Sequence, residues 1–183
     1  MKALLTSAGF ENPLLTTLFL DMVGKKANGM KVVFVPTAAI HPDAIAMLPK
    51  CMNDLLSAGI PKENVTVYDL HRAMPYSALR AHDAVYFCGG DADYLIRRIN
   101  DSGFRGRLLR FVRSGGVYVG VSAGSCVAAR NVKRGLGFVD VALRVHCERG
   151  TLPGPVATVG NGEVSLTNRQ AILIDGERQE IVG

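Results

Sequence analysis

The chain has no tryptophan, and its four cysteines, Cys51, Cys88, Cys126 and Cys147, form no CxxC pair. Zinc ribbons and dithiol redox motifs need closely spaced cysteines, so both are excluded, and for the three cysteines in apolar or small-residue surroundings reduced, buried thiols are expected. Long hydrophobic runs are also missing. The longest, LLTTLFL, VVFV and VYVGV, fall far short of the ~20 apolar residues of a membrane-spanning helix. The start, MKALLTSAGF, lacks the apolar core and small-residue cleavage pattern of a signal peptide, and a cytoplasmic protein is expected. An excess of one charge is scarce too: 21 Lys and Arg face 16 Asp and Glu, a net charge of +5. The basic residues between Arg97 and Arg113 carry no regular aromatic interleaving. They read as a solvated helical face, so neither a nucleic-acid nor a membrane partner is expected.

What remains is an ordinary globular composition: 48% apolar residues in 183, with no linker, repeat or low-complexity segment, which points to one domain over residues 1–183. The runs KALLT, KVVFV, NVTVYDL, DAVYF and GGVYVGV are short and nearly all apolar, with valine prominent in most. Strands of that texture lie inside a parallel sheet covered on both faces. Between them, LLTTLFLDMVGKK, HPDAIAMLPKCMNDLLSAGI, DADYLIRRIN and FRGRLLRFVRSG carry apolar residues at helical spacing. Pro49 should kink or restart the second of these, and Gly103 should separate the last two. After Arg134 helix signal fades, and LGFVDVALRVHC, ATVG, EVSLT, QAILIDG and QEIVG read as short strands. The expectation is an α/β fold: an open, mainly parallel sheet with helices on both faces and a strand-rich C-terminal third.

Ligands of open α/β sheets bind outside the carboxyl ends of the strands. Three unusual segments fall at such ends: Gly89-Gly90-Asp91, then Gly120-Val121-Ser122-Ala123-Gly124, then His146 in RVHCERG. The second fits G-x-S-x-G, in which a sharp strand-to-helix turn presents a serine oxygen at a helix N-terminus and leaves no room for side chains at the flanks. The N–H of Ala123 would then be one oxyanion donor, and the Gly89-Gly90 turn could supply another. Each segment also has a plainer reading. Ser122 could cap a helix between packing glycines, Asp91 could cap the helix after the double glycine, and His146 could be structural. On spacing alone, His41 and His71 also fall at strand ends.

Taken together, FVPTAA, YFCGGDADYL and GVYVGVSAGSCVA resemble the peptidase E (aspartyl dipeptidase) family of serine peptidases, which has the class I glutamine amidotransferase-like fold. The resemblance runs over residues 1 to about 130, with RVHC and LTNRQAILIDGERQEIVG as a thinner echo. It implies Ser122 as nucleophile, His146 as general base, and the backbone of Gly90 and Ala123 as oxyanion hole. Gly89 and Asp91 would lie at the substrate, a small peptide or amide. It implies no metal or cofactor, and a monomer or small homo-oligomer.

Two departures bear on that transfer. Asp91 and Ala92 stand where the family has asparagine and threonine, which makes aspartyl specificity unsafe to carry over. The interval from Ser122 to His146 is short, and Asp140 is the acid left in it to orient His146, with Asp175 as a substitute and Glu148 less favoured. The competing readings are a catalytically lapsed homologue that binds a small ligand, an α/β-hydrolase esterase, and a cysteine amidase built on Cys126.

Overall fold

Short, nearly all-apolar runs form the interior strands, and their alternate residues divide between two cores. The structure, a computed structural model, describes residues 1–160 and 162–183. The order is β1 (Lys2–Thr6), α1 (Pro13–Val23), β2 (Val32–Val35), α2 (Pro42–Ala46), α3 (Leu48–Ser57), β3 (Val65–Val67), α4 (Tyr76–Leu79) and β4 (Ala84–Phe87). Then come α5 (Ala92–Asp101), α6 (Phe104–Arg113), β5 (Val117–Val121) and α7 (Ala123–Ala128). The last third holds β6 (Ala142–Arg144), β7 (Gly154–Pro155), β8 (Glu163–Ser165), β9 (Ala171–Asp175) and β10 (Arg178–Val182).

Eight of these strands form one sheet in the order β3-β2-β4-β5-β1-β9-β10-β7. The first five are parallel. At β1 the direction changes: β9 pairs antiparallel to it, with Leu4 opposite Leu173, and β10 and β7 continue antiparallel. Strands β6 and β8 make a separate parallel pair. Within β1, Ala3 and Leu5 pack with Phe104, Leu108 and Val127 of α6 and α7, whereas Leu4 packs with Phe19 of α1 and Leu55 of α3. A period of two along each strand thus fills both faces, so the sheet is a buried central layer between helices.

Local chemistry sets the helix ends. Asn12 caps α1 by accepting the Leu14 N–H, Pro13 takes the first position, and Gly24 closes the helix in the left-handed region (φ 70°). Pro49 restarts a helix: α2 stops at Ala46, and α3 opens at Leu48 with the proline in its first turn, where the missing N–H costs nothing. Gly103, also left-handed (φ 64°), separates α5 from α6. The strand-rich reading of the last third needs two corrections. ATVG (157–160) holds no strand, its first two residues ending a 3-10 turn at Val156–Thr158, and LGFVDV is loop, with strand beginning only at Ala142. Leu136, Phe138, Val139 and Val141 are buried there as irregular backbone, packed on α7 and its neighbours, so their apolar pattern reports packing and not pairing.

Candidate active site

Val117–Val121 is fully buried and runs straight into a turn that only small residues permit. A Cβ on Gly120 would lie 2.6 Å from the Gly124 carbonyl carbon, and one on Gly124 would lie 2.7 Å from the Phe87 oxygen. Both glycines are therefore required by close backbone approach. Between them Ser122 adopts φ 49°, ψ −105°, a region that non-glycine residues occupy only under constraint. The constraint is visible. The Ser122 N–H donates to the Thr6 carbonyl (3.0 Å), and its own carbonyl accepts from Ser125 and Cys126. Buried Ser125 Oγ donates toward the carbonyls of Thr6 and Gly120, and the Tyr118 hydroxyl donates to the Gly124 carbonyl (2.6 Å).

Ser122 is positioned as a helix N-cap, yet its side chain makes no capping bond. Its Oγ lies 3.1 Å from Nε2 of His146. His146 arrives from the far end of the chain and is held by its backbone. Its N–H donates to Ser7 Oγ (2.7 Å) just beyond β1, the neighbouring Cys147 N–H donates to the Leu166 carbonyl, and its φ is 59°. The other ring nitrogen, Nδ1, lies 2.8 Å from Oδ1 of Asn168. Asn168 sits in the turn between β8 and β9, which is closed by Gln170 N–H donating to the Thr167 carbonyl and by the Gln170 side chain accepting from Thr167. A neutral imidazole that gives its Nδ1 proton to an amide oxygen presents Nε2 as an acceptor to the serine hydroxyl.

The double glycine after β4 forms the other wall. A Cβ on Gly89 would lie 3.3 Å from Ser122 Cβ, and one on Gly90 (φ 140°) would collide with the Ala38 carbonyl oxygen at 2.0 Å. Among the described residues, no hydrogen bond takes up the N–H of Gly90 or of Ala123. The Ala123 N–H belongs to the first turn of α7, where helix geometry offers no partner.

The remaining sequence candidates stand elsewhere. Asp140 is turned away from His146: its side chain is 93% exposed and faces Arg130 at 3.5 Å. It borders the cleft beside β10 rather than the one at Ser122. Asp175, at the end of β9, pairs in register with Lys2 at the start of β1, the opposite end of that strand from Ser7. Asp91 is a helix cap: Oδ1 accepts the Tyr94 N–H (2.7 Å) and Oδ2 lies 4.0 Å from His41. His71 is bound between Asp69 and the Tyr94 hydroxyl, and His82 between the Ala78 carbonyl and Thr66. Cys126 lies beyond the turn, with burial pushing its thiol up to about 11, which leaves it protonated and poorly nucleophilic. Asn168 is the residue that sequence reasoning missed. Nothing in LTNRQ distinguishes it from an ordinary turn asparagine.

Ser122, His146, Asn168, Gly89 and Gly90 share a cleft of about 380 Å³ with residues of α2 and α3. Its floor includes Cys88, whose thiol burial holds in the protonated form. Among the described residues no group of three or more His, Cys, Asp or Glu side chains is arranged to hold a metal ion, and no helix is long and apolar enough to cross a membrane.

Residues 3–140 match the sequence profile described as Peptidase family S51. Over 132 residues the chain is 24% identical to an uncharacterized peptidase of Pasteurella multocida, covering 72% of this chain and 62% of that protein. An uncharacterized peptidase of Listeria monocytogenes is 25% identical over 134 residues, covering 72% and 63%. The chain therefore spans less than two thirds of the length of these relatives. In three dimensions it is similar to the crystal structure of a candidate peptidase E protein from L. monocytogenes, with a TM-score of 0.75, 20% identity, and 99% and 97% of the two chains covered. It is also similar to a peptidase from an acI-B1 Actinobacterium, with a TM-score of 0.68, 18% identity, and 100% and 87% covered. At such identities the likeness speaks for the fold. The profile match takes in Ser122 and the double glycine and stops short of His146 and Asn168.

Proposed function

The chain belongs to peptidase family S51, the peptidase E family, and from that premise we propose that it is a serine hydrolase cleaving a small peptide or amide through an acyl-enzyme on Ser122. The observation that carries the reading is the run of contacts from Ser122 Oγ to His146 Nε2 (3.1 Å) and from His146 Nδ1 to Asn168 Oδ1 (2.8 Å). In this mechanism His146 removes the hydroxyl proton as the serine oxygen attacks the substrate carbonyl. The developing oxyanion is received by the N–H groups of Ala123 and Gly90, at the N-terminus of α7 and on the glycine turn. The imidazolium then gives its proton to the leaving amine, the C–N bond breaks, and water, activated by the same imidazole, releases the acyl group.

Asn168 is the positioning residue of this scheme. Its amide oxygen fixes the ring orientation and tautomer but carries no charge to stabilise the imidazolium. The reading therefore calls for a slower catalyst than a nucleophile–histidine–carboxylate set. That same neutrality favours the second reading, a binding protein of this fold without turnover. The deciding experiment is intact-mass analysis after treatment with a fluorophosphonate, on wild type and on Ser122→Ala. A single adduct that disappears in the variant is the expected result. Folded protein that takes up no adduct, or takes it up elsewhere, overturns the hydrolase reading and leaves the binding one.

A further inference from the structure

The charges around the cleft and the partners they already have say which substrate side chain it admits. Glu11, Asp43 and Lys50 are the charged residues lining it, and no arginine does. Lys50 is its one ammonium, and both its visible bonds are internal: Nζ donates to Glu11 Oε1 (2.7 Å) and to the Ala8 carbonyl (2.9 Å). Arg169, next in sequence to Asn168, donates to the Glu11 main-chain carbonyl (3.3 Å). An acidic substrate side chain entering here would give up water, find the lysine already neutralised and meet the carboxylates of Glu11 and Asp43. Two carboxylates against one paired ammonium make this lining repulsive to it, by an amount that solvent at the part-exposed Lys50 and Glu11 keeps modest.

The two helices that carry Asp43 and Lys50 also offer the cleft an apolar surface. Ala44, Met47 and Leu48 of the α2–α3 junction face the cleft above Cys51, and Met47 is 48% exposed although it is a large hydrophobic residue. The volume, about 380 Å³, lies at the small end of the ~300–1,000 Å³ usual for ligand sites. If His146 is to protonate the leaving amine, that amine must sit on the histidine side. The acylating residue is then left to the α2–α3 wall.

We infer that the residue acylating Ser122 carries an apolar side chain of about leucine or methionine size, seated on Met47 and Leu48, and that Glu11 is a specificity residue which keeps Lys50 from pairing with acidic side chains. The inference rests on the hydrolase reading above.

The test separates the two. Fluorophosphonate labelling of Ser122 is established first. Labelled-competent enzyme is then given leucyl, methionyl, alanyl, aspartyl and glutamyl amides of one fluorogenic amine, alongside Glu11→Gln and Met47→Ala. Leucyl and methionyl amides are expected to exceed the acidic ones at least tenfold in kcat/KM. Glu11→Gln should shift the aspartyl-to-leucyl ratio at least fivefold toward aspartate. Met47→Ala, a change at a half-exposed site, should raise KM for leucyl and methionyl amides more than for the alanyl amide. Three results overturn the inference while the hydrolase reading survives: an adduct on Ser122 with faster acidic substrates, an adduct with no turnover of the apolar ones, or a ratio that Glu11→Gln leaves unmoved. Absence of any adduct on folded protein overturns the hydrolase reading and this inference with it.

Discussion

Replacing Asn168 by aspartate tests whether the contact to His146 Nδ1 acts on the reaction. The substitution is isosteric, so the turn between β8 and β9 should keep its shape while the atom 2.8 Å from Nδ1 acquires a negative charge. In the transition state the imidazole becomes positive, with the two charge centres about 4 Å apart. Their attraction is about 1 kcal/mol in bulk water and about 4 kcal/mol at an effective dielectric of 20. His146 and Asn168 are both exposed, so the lower end applies. A gain of about 1–2 kcal/mol is an acceleration of roughly 5–30-fold. The assay is the second-order rate of fluorophosphonate labelling at pH 8.5, above the usual imidazole range, which requires no knowledge of the substrate. Asn168→Asp should label roughly 5–30-fold faster than wild type, and Asn168→Ala slower than both. The gain should shrink in 1 M NaCl, where the Debye length falls to about 3 Å. If Asn168→Asp labels no faster than wild type while near-UV circular dichroism is unchanged, Asn168 does not support His146 in the reaction, and the proposed roles fail.

The strain at Ser122 predicts that glycine is the more stable replacement. Ser122→Gly, free to adopt φ 49°, should melt about 2–4 °C above Ser122→Ala, corresponding to about 1 kcal/mol of relieved strain, and equal melting temperatures would contradict this. Asp54 accepts from the Tyr86 hydroxyl (2.7 Å) and the Phe10 N–H (3.0 Å), and its carboxyl is raised above the ordinary value by burial. A raised folded value means that the native state binds more protons than the unfolded one, so stability falls as pH climbs through that range. Urea midpoints should therefore shift in favour of Asp54→Asn between pH 4 and pH 7.5, and a shift toward wild type would refute the assignment. Because burial keeps the Cys126 thiol protonated, iodoacetamide at pH 8 should leave Cys126 unmodified in the folded protein, and peptide mapping that finds it alkylated early would count against that burial.

Strands β1, β2, β4 and β5 were legible because each is a short, nearly all-apolar run whose burial on both faces leaves no polar alternation to confuse the reading, whereas β3 is a part-exposed edge strand. The glycines around Ser122 were legible for a steric reason: each stands where a Cβ would strike backbone. The partner of His146 was not. Asp140 was the acid available in the interval, but chain order says nothing about orientation, and its carboxylate turns outward to Arg130. Asn168 reaches the ring through a tight turn of the kind asparagine favours everywhere, 22 residues from His146, so its local sequence carries no mark of the role. The ATVG segment was misread because alternation over four residues is too short to tell a strand from the end of a 3-10 turn.

The bond from the His146 N–H to Ser7 joins residues 139 apart in sequence. A chain made from its N-terminus has β1, β5 and the turn bearing Ser122 in hand before His146 has been synthesised, and the Asn168 turn follows later still. During that period Ser122 has neither its histidine nor the asparagine behind it. Asn168 lies in the turn that leads into β9, and β9 pairs antiparallel with β1 at the centre of the sheet. The C-terminal strands that close on β1 and the residues that contact Ser122 therefore come from the same late-made part of the chain.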